Sequence, residues 1–489
     1  MPVGTLVTTG ETAQSGGLST PTGTVFIVAP AIYGPETPTA VRSLNELAAL
    51  YGPREGENVK LFDAVSAYFA LKGSKAYISR QAGEGAPVAA KLELEATATA
   101  KTLVVTAKYK GTFGNNYKIE VAENAGKTKT QLVVYNAEGE VVERSGEYAT
   151  AAELFAWGKE HQATVLITEG SGYTAGKAEL VKKLVATKLA SGANPTISEA
   201  TAIKSIEALP KALGPGTLIV PGNSEAKVHV AMAEHCYKNN RFALADMKKA
   251  EIVGTTPTEL KEEKETSTFT TVLGGYIAFF STAVTAAGLT LGTTRTIPAS
   301  SIVAGLMAQI ATGASEDRAP AGPRWPLAPF VTGFTNTYTE AQINELNEAG
   351  INCFTERRGT LCLFGDVTAT PQNKDLIFYQ YSASRERMRL AYECEIVGEN
   401  FEFVTIDGRH QKRAKLQGEL QAVVKRNWEA EALYGETAQE AGEVKVGEPV
   451  NTPATEQAGE LNAEVLVRIS PVAQYVKIAL ISVPITESV

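Results

Sequence analysis

Apolar positions recur with two different periods along this chain. From Val25 to Ala29 the run VFIVA is a buried-strand signal, followed by a turn at Gly34-Pro35. Ser43 is a good helix N-cap, Leu44, Leu47 and Leu50 follow at helical spacing, and Gly52-Pro53 stops the pattern. Leu61, Ala64, Val65, Tyr68 and Phe69 mark one face of a second helix, Val59 to Leu71, and Ala76–Arg80 reads as a strand. Strand, helix, helix and strand predict an α/β layer.

Residues 86–145 change character. Leu92–Ala98, Thr102–Ala107, Tyr117–Glu123 and Thr130–Tyr135 are short strands separated by Gly- and Asn-rich turns, which predicts a small inserted β domain. The α/β rhythm then resumes. Helix Ala149–His161, strand Thr164–Thr168, helices Ala175–Leu189 and Ile197–Leu209, strand Thr217–Val220, helix Ser224–Asn239 and strand Phe242–Asp246 are expected in turn. The run ELKEEKE at 259–265 reads as a solvated surface, and Ala299–Thr312 as a helix. Proline-rich residues 318–329 read as a rigid linker. Beyond it come a helix at Thr339–Gly350 and a hairpin around Arg358-Gly359. Helical stretches at Gln372–Ile396 and Arg409–Ala432 follow, then a loop-like acidic segment, Glu436–Gly459.

The last stretch follows an Asn451-Thr452-Pro453 turn signal. Ala463, Val465, Val467 and Ile469 alternate with Asn462, Glu464 and Arg468, a half-buried strand imperfect only at Leu466. After Pro471, Tyr475–Val483 reads as a second strand, with Val476, Ile478 and Leu480 on one face and Lys477, Ala479, Ile481 and Val483 on the other. A strand apolar on both faces needs a covering partner, and an exposed sheet edge is a template for pairing with another chain.

The chain has 489 residues, enough for several domains, with 20% charged residues and a formal net charge of −8. That balance gives no nucleic-acid footprint. No run approaches the ~18–20 apolar residues of a membrane-spanning helix. MPVGTLVTTGE at the start has neither a basic region nor an apolar signal core, and residues 1–20 carry few apolar groups apart from Val3–Thr8. Four cysteines without a C-x-x-C pair fit a reducing compartment; a Cys353–Cys362 bridge is conceivable but unsupported.

Candidate chemistry is sparse. EGSGYTAGK at 169–177 follows a strand, but Ser171 stands where a phosphate loop needs glycine and Ala178 where it needs a hydroxyl. His229 and His235 are six apart and do not share a helix face; His235-Cys236 is not a metal spacing. Ser224 lacks the G-x-S-x-G elbow and is a simple N-cap. Asp366 and Glu356 are explained by surface turns. No catalytic, cofactor-binding or metal site is expected, and no enzymatic role. RERMR at 385–389, and Lys412 and Arg413 with Lys415, are basic clusters in an acidic chain, read either as solvated faces or as contacts for an acidic partner.

Several of these stretches, in order, resemble the contractile tail sheath family of bacteriophages and related injection devices. They are AIYGPETPTAVRSLNELAALYGP and LFDAVSAYFALKGSKAYISR near the start, GTFGNNYKIEV at 111–121, and APAGPRWPLA with LNEAGINCFTERRGTLCLFGDVT at 346–368. IDGRHQKRAKLQGELQAVVKRNWEAEALYGE and VNTPATEQAGELNAEVLVRISPVAQYVKIAL complete the set, in a form similar to that of actinobacterial phages. The resemblance implies an α/β (α+β) multidomain fold. Residues 1–20 would be an N-terminal arm, 21–85 with 146–330 the α/β body, 86–145 the inserted β domain, and 331–489 a C-terminal α+β inner domain with an extended arm.

It also implies a structural subunit, without cofactor, that polymerises with itself as stacked six-fold rings around a tail tube protein. Baseplate and tail terminator proteins would be further partners, with no nucleic acid and no membrane insertion. The subunit would sit in a virion after assembly in the host cytoplasm, and contract from a metastable extended state to drive the tube through the host envelope. Inter-subunit strand addition would use Val3, Thr5, Leu6, Val7, Val465, Val467, Ile469, Val476, Ile478 and Leu480. Tube contact would fall to Lys412, Arg413, Lys415, Lys425 and Arg426. The sheath of a headless injection system or tailocin, another self-assembling virion protein, and a cytoplasmic α/β enzyme remain as alternatives.

Overall fold

A computed structural model describes residues 23–31, 34–54, 56–85, 87–96, 100–137, 139–288, 292–313, 318–371, 375–476 and 478. The fold is mixed α/β and multidomain. In chain order, β1 (Val25–Ala29), β2 (Thr39–Val41) and β3 (Ala76–Arg80) accompany helices Leu44–Tyr51 and Asn58–Ala70, as the spacing predicts. Ser43 caps the first of these, its hydroxyl accepting from the Glu46 N–H at 3.1 Å.

The next strands are β4 (Ala89–Glu95), β5 (Lys101–Lys110), β6 (Lys118–Glu123), β7 (Thr130–Tyr135), β8 (Val141–Arg144), β9 (Val165–Glu169) and β10 (Leu184–Lys188). After them come β11 (Thr217–Ile219), β12 (Phe242–Ala245), β13 (Ile277–Phe280), β14 (Val284–Ala287), β15 (Thr294–Ile297) and β16 (Val331–Phe334). The last four are β17 (Ile351–Arg357), β18 (Thr360–Phe364), β19 (Gly442–Lys445) and β20 (Glu464–Val467).

The largest sheet has the order β18-β17-β13-β12-β11-β1-β3-β2. Strands β1, β11, β12, β13 and β17 run parallel, and β18 returns antiparallel. Every residue of β1, β11, β12 and β13 is buried, which is why these runs are apolar without alternation. The described residues form two compact units, one within 23–27, 64–77 and 209–478, the other within 28–63 and 78–208.

In the second unit the sheets β10-β6-β7-β8 and β4-β5-β9 enclose one core that includes Leu103, Val105, Ile119, Val134, Leu154 and Val165. Two expectations change here. The helix expected at Ala175–Leu189 is absent: Val181 bridges Ala96, and β10 pairs antiparallel with β6 through a register shift. Its helical spacing yields to strand partners far off in sequence. The β domain expected to end at 145 also takes helix Ala151–Glu160, β9 and β10 into its core, because β9 pairs with β5.

In the first unit, the proline-rich segment is not a linker. Gly322 and Leu327 donate to the carbonyls of Leu363 and Leu361 at 2.7 and 3.0 Å, and Leu327 is fully buried, so the segment covers the edge strand β18. The hairpin β17–β18 joins the large sheet through β13 rather than the C-terminal core. That core is separate: helices Tyr381–Glu399 and Gln411–Glu429 pack Leu390, Leu416, Leu420 and Val424 against Val444 of β19. Strand β19 lies inside the stretch expected to be loop. No helix among the described residues is long and apolar enough to cross a membrane.

Candidate assembly interface

The C-terminal stretch is built around Asn451, which is fully buried. Its Nδ2 donates to the carbonyls of Val446 and Asn462 at 2.8 and 2.6 Å, and its Oδ1 accepts the Asn462 N–H at 2.7 Å. Thr452 then caps the short helix Pro453–Gln457, with Pro453 in its first turn. This pinned loop returns the chain so that β20 pairs antiparallel with β19, Val444 opposite Val465. Val465, Val467 and Ile469 pack on the C-terminal core, while Leu466 on the other face is 47% exposed. The alternation read from the sequence therefore describes β20 well. Among the described residues this sheet has two strands, extended by a bridge between Leu433 and Ile469. A two-stranded sheet is marginal by itself and keeps edges available for pairing.

After Pro471 the chain is held at Val472 and Gln474. Gln380 Nε2 donates to the Val472 carbonyl at 2.8 Å, and the Val472 N–H donates to Gln380 Oε1 at 3.0 Å. Gln474 Nε2 donates to the Asp366 carbonyl at 3.1 Å, and the Tyr379 hydroxyl donates to Gln474 Oε1 at 2.8 Å. Immediately beyond, Tyr475, Val476 and Ile478 are 76%, 74% and 87% exposed. The second strand expected at 475–483 is not formed in its described residues. Leu480 lies outside the described residues, as do Val3, Thr5, Leu6 and Val7.

The basic cluster divides. Arg413 is bonded to Glu456 at 2.5 Å, its side chain 12% exposed, and Arg426 donates to the buried Glu393 at 2.9 Å. Arg413 is drawn into the C-terminal fold, whereas Arg426 reaches Glu393 with its side chain still 46% exposed. The Lys412 N–H donates to Asp407, which caps this helix start. Lys415 and Lys425 stand on the exposed side, in i,i+4 pairs with Glu419 and Glu429 at 3.6 and 3.8 Å. RERMR is not a solvated face. Arg385 and Glu386 are buried, Arg389 joins Glu386, Glu393 and Asn427, and the Arg387 guanidinium stacks 4.7 Å from the Tyr276 ring. Lys264, from the charged run at 259–265, donates to the Ala349 and Ala369 carbonyls at 2.7 Å each, and burial lowers its pKa to about 8.

The other singled-out residues are structural. His229 Nδ1 accepts from Ser267 and its Nε2 faces the Asn223 carbonyl; His235 Nε2 accepts from Arg241 at 2.8 Å; burial holds both near pKa 4. Burial drives the Cys236 thiol upward, away from a nucleophile's range. Cys353 and Cys362 are both free and buried. Asp366 is buried rather than on a surface turn. Burial raises it to about 7, while its carboxyl accepts from the Ser382 N–H and hydroxyl. Glu356 sits on β17. No group of three metal-ligating side chains is present among the described residues. Asn451 is legible in the sequence only as a turn residue and Gln380 not at all, because an isolated amide carries no periodic signal and Gln380 meets its partner 92 residues away.

Comparison with known proteins bears on this arrangement. The family model "phage tail sheath protein beta-sandwich domain" matches residues 83–199, and "phage tail sheath protein central domain" matches 171–369. Together they span more than half of the chain, which belongs to the contractile phage tail sheath protein family. It is a structural sheath protein by that membership. No curated protein matches the sequence. The fold is similar to the crystal structure of the sheath tail protein from Desulfitobacterium hafniense, at 15% identity and TM-score 0.62 over 87% of this chain and 90% of that one. The sheath complex of an extracellular contractile injection system, PVC, in its contracted state, aligns at 13% identity and TM-score 0.57 over 94% and 91%. The contracted helical sheath of the anti-feeding prophage aligns at 15% and 0.54 over 94% and 93%.

Proposed function

We propose that this chain is the repeating subunit of a contractile sheath, assembled as stacked six-fold rings around a tail tube and joined to a baseplate and a tail terminator. The carrying observation is that the apolar side chains of Val476 and Ile478 are exposed just beyond the held residue Gln474, close in sequence to a two-stranded sheet. An apolar segment uncovered in one copy and a short sheet in the same copy are complementary between copies. Strand addition uses main-chain hydrogen bonds and places little demand on side-chain identity. Such a joint persists while rigid bodies rotate against one another. Head-to-tail donation also builds open helical arrays rather than closed pairs.

In this reading β19 and β20 are the socket, the outgoing arm is the stretch from 475, and residues 1–20 are a second arm. Contraction then needs only two lattice packings of unequal free energy, with the extended one trapped until a baseplate releases it. The solved sheaths similar in fold include contracted states of injection systems, which supports the same role in a headless particle. Negative-stain microscopy of purified protein tests the reading: hollow striated sleeves are expected, and a monodisperse small oligomer at high concentration overturns it. Deleting residues 1–20 should leave a folded monomer that does not extend sleeves.

A further inference from the structure

Gln380 occupies the N-cap position of helix Tyr381–Glu399 but does not cap it. Asp366 caps the helix instead, its carboxyl accepting the Ser382 N–H at 3.0 Å and the Ser382 hydroxyl. The Gln380 amide, 3% exposed, is thereby released to meet Val472 with one donor and one acceptor, as a neighbouring strand would. Gln474 adds a second grip on the same corner, through the Asp366 carbonyl and the Tyr379 hydroxyl. Four hydrogen bonds thus converge on Val472–Gln474, and the next described residues are exposed.

We infer that Gln380 is a positioning residue: by clamping the backbone at Val472 it fixes the point from which the C-terminal segment is presented for strand donation. The inference rests on the strand-donation reading above. Its physical content is mechanical. A donated strand transmits tension to whatever holds its root. Without the clamp, that tension would fall on β20, which is antiparallel to β19 and also forms the socket. With the clamp it passes to helix Tyr381–Glu399 and to Asp366, which follows β18 of the large sheet. The clamp lets one copy donate an arm without pulling its own socket apart. It also removes conformational freedom from the arm before donation, which lowers the entropic cost of docking.

The test compares the parent chain with four variants: Q380A/Q474A, Val472→Pro, Gln380→Glu, and a deletion of 475–489. Val472→Pro removes the Val472 N–H while leaving Gln380 and its helix unchanged. The expected result is that Q380A/Q474A and Val472→Pro give folded monomers with parental far-ultraviolet spectra. They should yield fewer and shorter sleeves, with lengthened lag times, and sleeves that fragment at shear the parent survives. Gln380→Glu sets a buried carboxylate against the Val472 carbonyl, so it should impair sleeves at neutral pH and recover part of the yield as pH falls and the neutral acid can again donate one bond and accept one. The deletion should abolish sleeves. If it does and both clamp variants assemble like the parent, the clamp is wrong and the arm reading stands. If sleeves survive the deletion, the arm reading itself is wrong.

Discussion

The guanidinium of Arg413 meets the carboxylate of Glu456 at 2.5 Å, joining helix Gln411–Glu429 to the short helix Pro453–Gln457. Both side chains are less than a fifth exposed, so this pair is part of the C-terminal fold. Arg413→Ala should therefore lower stability by about 1–3 kcal/mol, the range for losing a charge-assisted, partly buried hydrogen bond. Lys415 and Lys425, 66% and 65% exposed, are different. Their exposed pairs contribute ~0.3–0.5 kcal/mol each at most. K415Q/K425Q should lower stability by no more than about 1 kcal/mol in urea unfolding and weaken association with an acidic tube surface in a salt-dependent way. Co-sedimentation with tubes at two salt concentrations checks this; equal binding by the double variant and the parent removes the helix from the contact.

The second prediction concerns acid. His235 Nε2 accepts a hydrogen bond from the Arg241 guanidinium, so a proton on that nitrogen would both break the bond and face a cation. Burial, then Arg241 and Lys238, lower its pKa from 6.5 to about 4. The unfolded chain binds this proton below 6.5 and the folded chain only below about 4. The histidine's contribution is thus complete above 6.5, is lost as pH falls to about 4, and is flat below. The span corresponds to roughly 3 kcal/mol. Asp246 and Asp366, raised by burial to about 6 and about 7, slope the other way, and His229, lowered to about 4, slopes the same way; all three act alike in the parent and in His235→Gln, so the difference between the two isolates His235. His235→Gln keeps a carbonyl acceptor and does not titrate. The stability difference between parent and variant should shrink or reverse from pH 6.5 to 4; parallel curves across that window would falsify this.

The third prediction lies in the β-sandwich. Asn115, in the GTFGNN turn, accepts the Gly192 N–H and donates to the Gly192 carbonyl, both at 2.9 Å. Two bonds at roughly 0.5–1.5 kcal/mol each put Asn115→Ala at about 1–3 kcal/mol of destabilisation. Gly114 beside it has no room for a side chain: a Cβ there would lie 2.6 Å from the Ala107 Cβ and 2.9 Å from the Ala90 Cβ. Gly114→Val should therefore cost more than Asn115→Ala in denaturant unfolding, and the reverse order would show the turn to be slack.

These residues also show what was legible. The buried parallel strands were readable because burial on both faces removes alternation, as in VFIVA at Val25–Ala29. β20 was readable because one face stays polar. The first capped helix is readable through Ser43, and the structure adds capping boxes at Thr150 and Thr339. What failed was everything fixed by distant partners. β10 carried helical spacing and became a strand on β6. The proline-rich segment became an edge cover because β18 needed one. Arg413 reads as surface charge, and only the distant Glu456 opposite it shows otherwise. Asn115, Asn451 and Gln380 share one device, an amide side chain standing in for a strand partner. A single amide in a sequence does not reveal which backbone it will hold.

The last prediction returns to the tail. Val476 and Ile478 are 74% and 87% exposed, so they contribute little burial to the monomer, and surface changes of this kind usually fall within about 0.5 kcal/mol. Between copies the same residues would be buried. Placing a carboxylate at each leaves the monomer's core untouched and puts an unpaired charge into any sheet that takes up the arm, a cost of several kcal/mol per joint. V476D/I478D should therefore unfold at the parental urea midpoint and stay monomeric in sedimentation where the parent forms sleeves. The defect should ease as pH falls below the carboxylate range, because a neutral acid is cheaper to bury than its anion. A lowered urea midpoint would mean that the tail packs on its own body; normal sleeves would mean that these two residues lie outside the joint.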